Sequence, residues 1–212
     1  MIATTRYQLA LLAHSQRYLP PLLGYLATLA ILYSSADAPA LPEFAISTAA
    51  LLVVACWLVI ALVGAEDPAQ RLITMSHARR RLTVLVAPAI AALTCTMLLT
   101  LGSLCWAMLV HGGVPLADLG WGLLAHIAGA CWGIAIGLAC SQYFIPRIGF
   151  TVLTALPALA ALLLVRWLPL VNPMLRALAG ETAPARPVLL AAVTSVLALG
   201  LSTGMATAAS RR

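Results

Sequence analysis

The residues of this chain that could do chemistry are few, and their spacing rules most of it out. Five cysteines, Cys56, Cys95, Cys105, Cys131 and Cys140, each lie inside an apolar run. Their number is odd and no Cys-x-x-Cys occurs, so neither a disulfide framework nor a zinc site is indicated. They read as small buried hydrophobes. Gly200-Leu201-Ser202-Thr203-Gly204 spells the Gly-x-Ser-x-Gly pattern of a nucleophile elbow. That elbow is a strand-to-helix turn on an α/β sheet, which an apolar helical run cannot supply. His111 and His126 could be imagined as haem ligands, but they lie near opposite ends of a hairpin's arms with no reciprocal pair at matching depth. A hydrogen-bonded structural His is the simpler reading. All twelve basic residues are Arg. With no Lys the chain has no Walker A loop and no Schiff-base amine; if ATP drives it, another chain binds the ATP.

One segment gathers what charge there is. Of the eighteen charged residues, six fall within 64–82: Glu66, Asp67, Arg71, Arg79, Arg80 and Arg81. Asp67 can cap a helix, Pro68 suits its first position and Gln70 its third, where it can reach back. Glu66 lies near the positive end of the helix dipole, and Arg79 to Arg81 near the negative end. Wound at 3.6 residues per turn, Ala69, Leu72, Ile73 and Ser76 share one face, while Gln70, Thr74, His77 and Arg81 share the other. The pattern predicts a capped amphipathic helix over 67–80, of about three turns or some 18 Å. Arg79 to Arg81 alone could be a topology anchor; the cap, the Pro and the apolar face fit a docking helix for a partner.

The elements around this segment are apolar. Hydrophobic residues make up 63% of the 212 and charged ones 8%, a balance no soluble domain of this length could bury. The expected fold is an all-α polytopic membrane protein, a single transmembrane domain over 1–212. Six transmembrane helices are expected at about 19–35, 44–63, 82–110, 119–145, 148–165 and 187–207. Residues 5–18 are expected to form an interfacial helix before the first span, the alternative being a short solvated tail. A short outer helix follows the fifth, with Asn172 as its cap, Pro173 at its first position, Gly180 as a left-handed stop, and Met174, Leu175 and Leu178 against the membrane surface. Arg6 and Arg17 before an apolar stretch, with Ala36-Asp37-Ala38 after it, have the look of a signal peptide. The charged region would be unusually long and Pro39 would follow the cut, so the segment reads as an uncleaved first span.

Charge then sets orientation. With the N-terminus inside, one side carries Arg6, Arg17, Arg71, Arg79, Arg80, Arg81, Arg147, Arg211 and Arg212, and the other only Arg166, Arg176 and Arg186. The excess of Arg places both termini and the 67–80 helix in the cytoplasm. No Asp, Glu or Arg falls in mid-span, against an ion-driven carrier, where such groups are the working parts. Gly129, Gly133 and Gly137, with Ala125 and Ser141 extending the line, form a small-residue stripe that lets a second helix approach closely. That helix belongs either to this chain or to another subunit.

This arrangement of spans, interfacial helix, cytoplasmic helix and outer helix resembles the membrane subunit of an ABC transporter of the ABC-2 (type V exporter) class. The segment AEDPAQRLITMSHARRRL looks like the loop between the second and third spans of actinobacterial members. The outer loop departs from the family in lacking a strongly apolar re-entrant pair. The resemblance implies a coupling helix seated in a cleft of a separate ATPase subunit. Its contact surface would be 67–80: Asp67 and Pro68 set the helix, Leu72 and Ile73 dock, Arg71 and Arg79 pair with acids on the partner, and Gln70, Ser76 and Arg80 complete it. It further implies a second permease copy or a related permease, a cell-membrane location, and ATP and magnesium held by the partner. This chain itself would carry no cofactor, bind no nucleic acid and catalyse no reaction. The substrate would be hydrophobic or amphipathic. A non-ATP scaffold or assembly protein, and a membrane-embedded oxidoreductase, are the alternatives.

Overall fold

The computed structural model describes residues 2–77, 81–145, 147–168 and 170–209; the side chains of Pro68, Arg71, Leu72, His77, Arg81, Ile148 and Ala209 fall outside that description. The described residues form nine α-helices and no strand: α1 (Ile2–Ser15), α2 (Leu19–Leu32), α3 (Ala40–Ala65), α4 (Pro68–His77), α5 (Arg81–Val110), α6 (Leu116–Ala139), α7 (Ile148–Leu164), α8 (Asn172–Leu178) and α9 (Ala185–Ala209). In hydrocarbon no water is present to take up backbone amides, so the unbroken runs of Leu, Ala and Val must satisfy them within helices. Four helices, α3, α5, α6 and α9, are long and apolar enough to cross a membrane. The fold is all-α and membrane-like.

α2 and α7 are apolar but short, at 14 and 17 residues. At 1.5 Å per residue they reach about 21 and 25 Å, against a hydrocarbon core of about 30 Å.

α3 lies at the centre, packed against α6 most extensively and also against α5, α2 and α8, while α6 carries α9 on another side. Phe44, Leu51, Leu52 and Leu62 of α3 are fully buried. Successive helices reverse direction. Arg17, ahead of α2, donates to the carbonyl of Gly64 at the end of α3 at 2.9 Å. Tyr33, just after α2, sits 3.0 Å from Ser103 late in α5 and packs edge-on against His111 beyond it. One end of the bundle therefore gathers α1, the end of α3 and α4. The other gathers Glu43, His111 and α8.

Several boundaries differ from the sequence expectation, each for a local reason. α1 spans Ile2–Ser15, and Gln16 turns the chain at a left-handed φ of 54°. α6 stops at Ala139, short of residue 145. The Ser141 hydroxyl donates to the Leu138 carbonyl at 2.7 Å and the amides of Phe144 and Ile145 turn back to the Ser141 carbonyl, a side-chain bond that competes with helix continuation. α8 is not a surface helix. Met174 and Leu178 are fully buried against the bundle, and Asn172 does not cap: its amide donates to the Leu163 carbonyl at the end of α7, with Val171 standing ahead of the helix. Gly180 does close α8 in the left-handed region, at φ 95°.

Candidate functional site

α4 forms because its first turn is capped from the side. The Asp67 carboxylate accepts the Ala69 amide at 2.8 Å, and Pro68 opens the helix, where a missing N–H costs nothing. Gln70 does not reach back to the cap as expected. Its amide donates instead to the Tyr7 hydroxyl of α1 at 2.7 Å. One turn on, the Thr74 hydroxyl donates to Glu66 Oε1 at 3.0 Å. Glu66 is only 4% exposed, and its other oxygen lies 3.4 Å from the Gln8 amide of α1. Burial raises the Tyr7 phenol above its ordinary 10, and the Glu66 charge raises it further. Glu66 thus ties together the end of α3, α1 and α4, rather than simply facing the helix dipole.

These bonds fix how α4 is turned. Its polar edge, Gln70 and Thr74, is held by α1 and Glu66, although Gln70 itself remains exposed. The opposite edge looks outward: Ala69 and Ser76 are exposed, and Ile73 is 61% exposed. An amphipathic helix resting on a water-facing surface would present the reverse arrangement. Of the other predicted contact residues, Arg79 and Arg80 lie outside the described residues, as do the side chains of Pro68, Arg71 and Leu72.

The small-residue stripe faces α3 of the same chain. A methyl group at Gly129 would stand 2.8 Å from Thr48 Cγ2, one at Gly137 2.7 Å from the Cys56 carbonyl oxygen, and one at Gly133 would collide with the Leu52 carbonyl oxygen. Gly122 continues the line against the Phe44 ring. With no side chain on the α6 face, the backbone of α6 at Gly133 and Gly137 comes close against the Leu52 and Cys56 backbone of α3, as small residues allow.

The histidines hold the bundle together. His126 is fully buried, with Nδ1 2.7 Å from the Gly122 carbonyl and 3.2 Å from Thr48 Oγ1, and Nε2 3.0 Å from the Ser47 hydroxyl. A carbonyl can only accept, so Nδ1 carries the proton and Nε2 faces the hydroxyl. Both ring nitrogens thereby have partners within the bundle. His111 binds Glu43 at 2.7 Å through Nε2 and the Ala36 carbonyl at 3.0 Å through Nδ1. The bond to the Ala36 carbonyl raises its pKa above 6.5, Glu43 adds to the rise, and burial opposes it. Among the described residues no three His, Cys, Asp or Glu side chains could share a metal ion.

Sequence reasoning did not find the Glu43–His111 pair, the Ser47–His126 bond or the burial of Glu66. Their partners are 68, 79 and 58 positions away in the chain, separations that no motif records. A lone acid in the first turn of an apolar run was the only available sign. Compared with protein-family models, with curated proteins and with solved structures, the chain matches none of them.

Proposed function

We propose that this chain is the membrane-spanning permease subunit of an ATP-driven exporter of the ABC-2 kind, moving a hydrophobic or amphipathic substrate. Separate ATPase subunits would dock on the helix at 67–81. The outward-facing apolar edge of α4, with Ile73 at 61% exposure, carries the reading. An exposed apolar side chain at the end of the molecule where Arg gathers suits a docking contact. The element order supports the same reading: α1 precedes the first apolar helix, α4 separates α3 from α5, and α8 separates α7 from α9. In this reading α2 and α7 complete six spans, with residues flanking them filling the remaining bilayer depth, and the Arg-rich end faces the cytoplasm.

The absence of charge in mid-helix fits an external energy source. Glu43, Asp118 and Arg186 lie in the first turns of α3, α6 and α9, and among the described residues no ionisable Asp, Glu or Arg occupies the middle of a candidate span. ATP-driven closure of the docked subunits would press on α4. The Glu66, Thr74 and Gln70 bonds would carry that displacement to α3 and α1, shifting the spans between states in proportion to the partner's preference for one of them. A second permease copy or a related chain would complete the path.

A photo-crosslinking amino acid placed at Ile73 tests this in native membranes. It should label an ATPase subunit, whereas the same probe at the inward-held Thr74 should label it far less. Labelling of lipid alone from position 73 would mean that the membrane covers the apolar edge, and would sink the docking assignment.

A further inference from the structure

We infer that the groove between α2 and α3 binds one acyl chain of an anionic phospholipid, with the lipid phosphate held by Arg17. Two adjoining hollows, about 230 and 450 Å³ in volume, share Pro20 and Trp57 and run from Arg17 along α2 past Gly24. The larger falls in the size range of small-molecule sites. Its walls are apolar, with Val53 42% and Trp57 44% exposed.

Three features give the groove a headgroup end. The Trp57 indole donates to the Arg17 carbonyl at 3.2 Å, and an indole with a polar partner marks the depth where lipid headgroups begin. The Arg17 guanidinium spends one N–H on the Gly64 carbonyl and is exposed at the mouth, leaving donors in a fork suited to phosphate. The backbone before it is strained. Gln16 adopts a left-handed φ of 54°, which is uncommon for a residue with a side chain and places Arg17 between the ends of α2 and α3.

Gly24 supplies the acyl-chain end. It lies inside α2, where glycine disfavours the helix, yet a Cβ there would meet nothing within 4 Å in this chain. The gap is not needed for helix packing within the molecule. A second copy of the chain could fill it, but a symmetric contact at this groove would bring Arg17 towards its own counterpart. An anionic lipid neutralises that charge instead. The lipid site stands whether or not an ATPase docks on α4.

The test uses the purified full chain in a zwitterionic detergent, supplied with phosphatidylglycerol or phosphatidylcholine of identical chains. Native mass spectrometry counts the lipid retained and the oligomeric state. Phosphatidylglycerol should be retained about ten-fold better than phosphatidylcholine, because the choline cation cancels the net negative charge that the headgroup presents to Arg17. Arg17→Gln should erase that preference and Arg17→Lys should keep most of it. Gly24→Leu, whose Cβ meets nothing within 4 Å and whose longer side chain occupies the groove beside Val53 and Trp57, should reduce retention of both lipids without lowering the melting temperature. Equal retention of the two lipids by the wild type, or a preference that survives Arg17→Gln, would overturn the site. Gly24→Leu separating a dimer while lipid retention stays the same would assign the groove to a second copy.

Discussion

At Gly133 one methyl group separates a closed α3–α6 pair from an open one. Gly133→Ala would set a Cβ against the Leu52 carbonyl oxygen and 2.8 Å from Ala55 Cβ. Neither is a flexible chain end, so the helices must part, at a cost of about 1–3 kcal/mol. Thermal unfolding in detergent should show the loss. Gly102→Ala, where a Cβ meets nothing within 4 Å, should be neutral or slightly stabilising. His111 makes a second prediction. Its folded pKa is raised above 6.5 by the Ala36 carbonyl and by Glu43. The stability this provides is present in full below about 6.5 and is lost as pH rises through the folded value. The melting-temperature gap between wild type and His111→Gln should therefore be widest at pH 5.5 and narrow towards pH 8.5. A gap that widened with pH would contradict the assignment.

At the scale of the element, α4 depends on its cap. Asp67→Ala removes the acceptor of the Ala69 amide and should cost about 1 kcal/mol of helix stability. Amides in the first turn of α4 should then exchange with deuterium about five-fold faster, and Asp67→Asn should restore most of the protection. An unchanged exchange rate would mean that tertiary bonds from Tyr7 and Glu66, not the cap, hold the helix. The cap was legible because Asp67-Pro68 is local chemistry, written in adjacent residues. So was the glycine stripe, because four-residue spacing fixes a helix face. Which helix met that stripe was not legible, since pairing is decided by the whole bundle. The outer helix was misplaced for the same reason. Met174, Leu175 and Leu178 are equally apolar towards a membrane or a protein, and only the α3 surface opposite them settles the matter. Asn172 had two acceptable partners, its own helix and the Leu163 carbonyl, and the second won.

At the scale of the whole molecule, composition dictated an all-helical membrane-like chain, and helix lengths bring in a detail that composition does not contain. The central helices α3, α5 and α6 are long, while α2 and α7, at the periphery, are short. If α2 and α7 cross the membrane as the proposed function requires, their shortness implies a bilayer thinned around them. The central claim is that an ATPase docks on the outward edge of α4. It is tested most directly by capturing the tagged chain from gently solubilised native membranes and identifying its stoichiometric companions by mass spectrometry. The account predicts a co-purifying subunit with a Walker A motif, lost when Leu72 and Ile73 are both changed to Asp while the melting temperature of the chain stays the same. A chain recovered alone or only with itself, or an ATPase retained by that double variant, would contradict it.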